Sequence, residues 1–129
     1  MDPREYAAPV LRELLNADSV LPEQFWTNIA GSIQRSGEHA LMWAVFADGI
    51  ECYRRNAHAV SVQRRIEFSE AERWLFSTDW DWPFSFVNLC ETFGFNPAGV
   101  RSALLRWKRD HVRNAFRRQR YRPVTQHAA

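Results

Sequence analysis

The segment Phe86-Val-Asn-Leu-Cys-Glu-Thr-Phe-Gly-Phe-Asn-Pro-Ala-Gly-Val-Arg-Ser-Ala-Leu-Leu105 constrains this chain more than any other stretch. It reads as two short helices joined by a tight turn at Gly94. Glycine takes up the left-handed backbone that ends a helix without the steric penalty a Cβ would bring. Asn96 follows as an N-cap. Pro97 then stands at the first helical position, where its fixed φ suits the helix and its missing N–H removes a donor that has no intrahelical partner. Upstream, Ser85 is an N-cap for the first helix, with Phe84 and Leu89 placed to form a hydrophobic staple across its start.

Leu89, Phe93, Phe95, Val100, Ala103 and Leu104 fall where two helices crossing at a wide angle bury apolar groups between them, and Cys90 is the small residue at their approach. Over residues 86–105 the pattern resembles the helix-turn-helix superfamily. The resemblance implies a recognition helix from Pro97 to about Asp110, with outward positions Asn96, Ala98, Arg101, Ser102 and Leu105, and Arg106 one turn further on. In that frame Arg101 forks onto guanine O6 and N7, Asn96 and Ser102 bond base edges or phosphates, and Ala98 meets a thymine methyl. Helix, turn and helix is equally an ordinary way to build a small α-helical domain. Charge favours the nucleic-acid reading, because the second helix carries Arg101, Arg106, Lys108 and Arg109 with hardly any acid.

The net charge of +2 conceals a division. Residues 101–129 hold nine Lys or Arg against the single Asp110, a net +8, which leaves eight basic and fourteen acidic residues, a net −6, in residues 1–100. Such asymmetry is a directed field. Arg113, Arg117, Arg118, Arg120 and Arg122 extend the basic run, and the planar guanidinium fork suits phosphate. Phosphate contacts release counterions, so binding would weaken steeply with salt. The alternatives are a solvated tail, an acidic protein partner, or an acidic membrane surface; the last is disfavoured because the run has no clear apolar face.

With 129 residues and 46% hydrophobic content, the chain is long enough for one domain with a real core, and its six Trp and nine Phe are anchors for helix packing. Cys52 and Cys90 are too far apart in sequence for a metal or redox motif and are expected to be reduced core residues. No secretion signal and no membrane span is recognisable, so a cytoplasmic protein is expected.

The chain divides into residues 1–37, expected to serve self-association or contact with another protein, 38–110, and the arginine-rich extension 111–129. In the first, Val10–Leu15 is a short helical pattern, and Phe25, Trp26, Ile29 and Ile33 give residues 22–34 an apolar helical face; Ser36-Gly37 marks a boundary. Glu38 to about His58 predicts the longest core helix, with a stripe of Leu41, Met42, Val45, Phe46, Gly49, Ile50 and Tyr53, and with Asp48 and Glu51 placed to pair with Arg54 or Arg55. Val60-Ser-Val62 has some strand character, so a short extended piece or a helix connection is expected there. Ser69-Glu-Ala-Glu72 carries the capping-box signature and predicts a helix from Ser69 to near Asp79. Pro83 makes Trp80-Asp-Trp-Pro-Phe84 a connector, whose two tryptophans are expected to pack over the core as a lid, or alternatively to form an exposed patch for a protein partner.

From Glu38 to Trp107, the Glu-Ala-Glu-Arg-Trp helix, the Trp-Pro-Phe-Ser-Phe connector and the Cys-Glu-Thr-Phe-Gly-Phe-Asn-Pro turn resemble a group of small, mostly uncharacterised bacterial proteins with a helix-turn-helix. That resemblance implies a DNA-associated role. Catalysis is not expected. The four histidines are dispersed, the five glycines form no phosphate-cradling loop, and Asp79 and Asp81 read as loop residues rather than as a metal-holding pair. The expected protein is therefore all-α, a compact multi-helix domain with a C-terminal helix-turn-helix and a basic tail, without metal or cofactor. It would bind double-stranded DNA as a transcriptional regulator and homodimer. The alternative is an interaction module that binds transcription machinery, another acidic partner or RNA through the same basic surface.

Overall fold

The computed structural model describes residues 23–120, with side chains from 24 to 111. Five helices account for most of this span: α1 Glu23–Arg35, α2 Gly37–Asn56, α3 Val62–Phe76, α4 Phe86–Phe93 and α5 Pro97–Arg120. No strand occurs among the described residues, so the fold is all-α. The helical pattern at Val10–Leu15 and the tail beyond Arg120 lie outside the described residues.

The expected turn forms from local chemistry. Ser85 Oγ accepts from Asn88 N and starts α4. Gly94, at φ 79°, ends it. Phe95 N donates to Cys90 O at 2.8 Å and Gly94 N to Glu91 O at 3.3 Å, the paired bonds of a Schellman motif that satisfy two otherwise orphaned carbonyls. Asn96 Oδ1 then accepts from Ala98 N at 3.1 Å and opens α5. This helix runs on to Arg120, well past the expected end near Asp110. Only Gly99 within it is a poor helix former, and Asp110 and His111 contain no stop signal.

Ser36 is the single residue between α1 and α2, and its Oγ caps α2 by accepting from His39 N. The boundary expected at Ser36-Gly37 falls at this joint. The described part of the N-terminal segment shares one core with the rest, since Trp26 meets Trp43 edge-on at 6.5 Å and Phe25 meets Phe95 at 5.2 Å. Phe46 and Phe86 stack at the centre, completely buried, with Leu89, Leu104 and Tyr53 around them. The stripe of α2 is as expected except at Leu41, which is exposed. Glu51 pairs with Arg54 along that helix.

Residues 57–61 form the helix connection, one of the two alternatives expected there, and Ser61 is the N-cap of α3, its Oγ accepting from Arg64 N; the start expected at Ser69 fails, because that serine lies inside the helix. Both serines carry capping chemistry, and since nothing from Gln63 to Phe68 breaks a helix, the earlier start wins by propagation. The lid over the core is also absent. Trp80 and Trp82 are 56% and 50% exposed.

Candidate nucleic-acid interface

The turn and α5 present a surface whose two sides differ sharply. At 100° per residue, Val100, Ala103, Leu104 and Trp107 share one side of α5 and are buried against α4 and the other helices. Ala98, Ser102, Leu105, Arg106 and Arg109 share the opposite side and are exposed, Leu105 to 47%. Asn96 is exposed too, but its side-chain oxygen is engaged by the cap on Ala98 N.

Two expected contact residues turn elsewhere. Arg101 Nε donates to Leu75 O at 2.7 Å and its Nη2 to Ser77 O at 2.9 Å, while the guanidinium lies 5.1 Å from the Phe86 ring centre. It is half-buried and holds the carbonyl end of α3, where a cation also complements the helix dipole. In this position Arg101 clamps the end of α3. Lys108, two turns later on the same flank, places its ammonium 4.7 Å from the Phe68 ring of α3. The flank toward α3 is consumed internally, and the outward basic side chains are Arg106 and Arg109, the latter 3.7 Å from the exposed carboxylate of Asp110. Arg113, Arg117, Arg118 and Arg120 belong to α5, but their side chains lie outside the described residues.

The connector between α3 and α4 is held by side chains that patterning alone left unassigned. Asn88 Nδ2 donates to Trp80 O at 2.9 Å and Trp82 O at 2.7 Å, and Trp74 Nε1 donates to Phe84 O at 3.0 Å. Trp74 also lies on Gly49, where a Cβ would come within 2.5 Å of the indole. Ser77 Oγ accepts from Asp79 N, and Asp79 Oδ1 from Asp81 N, so the two aspartates are organised as turn residues.

At the far end of the described α5, His111 packs on Trp107 at 4.4 Å, and the His58 ring from the α2–α3 loop lies parallel to it at 6.3 Å. Partial desolvation, then the neighbouring His111 and Lys108, hold the His58 pKa below its ordinary value. No sequence signal joined these two histidines, because 53 positions separate them; only the fold brings them together.

The two cysteines differ in their surroundings. Burial pushes the Cys90 thiol up to about 12, against the smaller opposing effect of Arg101, so it stays protonated at neutral pH. Cys52 is a free, partly buried thiol. Among the described residues no three His, Cys, Asp or Glu gather as metal ligands, and no helix is long and apolar enough to cross a membrane. The chain matches no protein-family model, no curated protein and no solved structure.

Proposed function

We propose that the chain binds double-stranded DNA through the exposed side of α5 and acts as a transcriptional regulator of the helix-turn-helix type. The observation that carries this reading is the division of α5, a helix entered through a left-handed turn, buried on one side and open on the other. The open side begins with Ala98 and Ser102, small enough for close approach to a groove floor, and continues to Arg106 and Arg109. Ser102 and Arg106 take base edges in this reading, Ala98 and Leu105 offer apolar contact to thymine methyls, and Arg109 meets phosphate. Asn96, Arg101 and Lys108 orient the helix rather than read sequence. Two copies would set two such helices on successive major grooves, about 34 Å apart.

Titration of a labelled duplex across a salt series tests the proposal. Affinity should fall with salt, R109Q should lower the magnitude of the log–log salt slope by about one for each bound copy, and R106Q should reduce discrimination between duplex sequences. Absence of duplex binding at low salt, or unchanged binding by an R106Q/R109Q variant, would overturn it. An exposed aromatic patch for a protein partner, the alternative placement of the tryptophans, draws on a separate observation, the exposure of Trp80 and Trp82.

A further inference from the structure

The connector from Ser77 to Ser85 is ordered by its own hydrogen bonds, yet it leaves its largest apolar groups in water. Asn88 grips two of its carbonyls, Trp74 a third, and Ser77 and Asp79 fix its turns. A connector pinned at that many points has little freedom to fold its indoles inward. Trp80 and Trp82 therefore stand out half-exposed, interleaved with the exposed carboxylates of Asp79 and Asp81. Beside Trp82 lies a depression of about 260 Å³, lined by Glu70, Arg73, Trp74, Ser77, Trp82 and Ser85, which suits one long side chain. Indole faces attract guanidinium groups, and carboxylates accept them with two parallel bonds. Glu70 adds acid at the depression and Arg73 partly offsets it. The chemistry that fits this surface is an arginine-rich segment.

The same chain supplies one. Residues 101–129 carry a net +8 against −6 in residues 1–100, and Arg113, Arg117, Arg118 and Arg120 lie in the C-terminal half of α5. Along the helix axis, the far end of that half lies well away from the point where α5 meets its own connector. Arg101 touches the carbonyls where the connector begins, and a continuous helix rising 1.5 Å per residue carries position 117 about 24 Å further along the axis. We propose that the Asp79–Trp82 connector docks the basic C-terminal half of α5 from a second copy of this chain. Exchanged reciprocally, the two identical contacts close a twofold pair. This deepens the two-copy arrangement proposed above and leaves the Ala98–Arg109 side to DNA. It is tested without DNA, so its failure and the failure of DNA binding are separate results.

The experiment is sedimentation velocity on the full chain at low and high salt, with folding of every variant followed by circular dichroism. Wild type should pair at low salt and dissociate at high salt. W80S/W82S, which changes only exposed rings, should weaken pairing about tenfold or more. D79N/D81K and R117E/R118E should each be monomeric alone, and their equimolar mixture should restore a one-to-one pair. A wild type that stays monomeric at low salt would overturn the proposal, as would pairing indifferent to W80S/W82S, or folded charge variants whose mixture does not associate. A monomer that instead binds a free oligo-arginine peptide through the tryptophans would identify another occupant and overturn the second-copy assignment.

Discussion

Arg101 shows how one guanidinium is claimed by whichever acceptors the fold brings to it. In sequence it belongs to a basic helix and looks outward. In three dimensions the unsatisfied carbonyls at the end of α3 lie within its reach, and two charge-assisted bonds plus the Phe86 ring hold it there. Arg101→Ala should therefore cost about 2 kcal/mol in urea unfolding, with Arg101→Lys recovering only part of it because an ammonium cannot span both carbonyls in one plane. Gly94 is the opposite case, since its role follows from its own backbone. At φ 79° a β-branched side chain is strained, and Gly94→Val should cost about 2 kcal/mol or more in the same assay, with Gly94→Asn milder. The contrast explains what was legible in the sequence. Caps and turns act over four or five residues, so Ser85, Gly94, Asn96 and Pro97 could be read directly. The partners of Arg101 lie 24 and 26 positions away, and no local pattern points to them.

At the scale of helices, the turn unit coheres through buried aromatic contacts. Phe93 packs against Trp43 at 5.1 Å and is nearly fully buried, so Phe93→Ala should destabilise by about 3–5 kcal/mol on thermal or chemical unfolding. The start of α3 differs from the expected one because Ser61 and Ser69 offer equivalent caps, and only tertiary packing and propagation choose between them. Of the two placements open to the tryptophans, the exposed one holds for a related reason. Aromatic character argues for burial, but the Asn88 amide, eight and six residues away, fixes the backbone that displays them. The joint between the α2–α3 loop and α5 carries a pH signature. His58 has a lowered pKa in the folded protein, so the unfolded chain binds more protons as acid is added; stability from this group is complete above its ordinary value of 6.5 and declines as pH falls below it. Thermal melts should show a small loss of Tm on acidification through this range. His58→Gln should flatten it.

Over the whole molecule, the buried helices and the charge distribution serve different ends. The fold class followed from hydrophobic period and caps, which are properties of the chain alone. The interface was only partly legible, because a row of cations does not reveal how the fold disposes its members; Arg101 and Lys108 turn toward α3, while Ser102, Leu105, Arg106 and Arg109 are exposed. Selection of bound sequences from a random duplex library, at moderate salt with wild type, Ser102→Ala, Arg106→Gln and Arg101→Lys in parallel, measures the proposed role of that outward side most directly. The expected result is a defined consensus, relaxed at particular positions by Ser102→Ala and Arg106→Gln and kept by Arg101→Lys. Enrichment of no sequence, or a consensus identical in all four proteins, would contradict it.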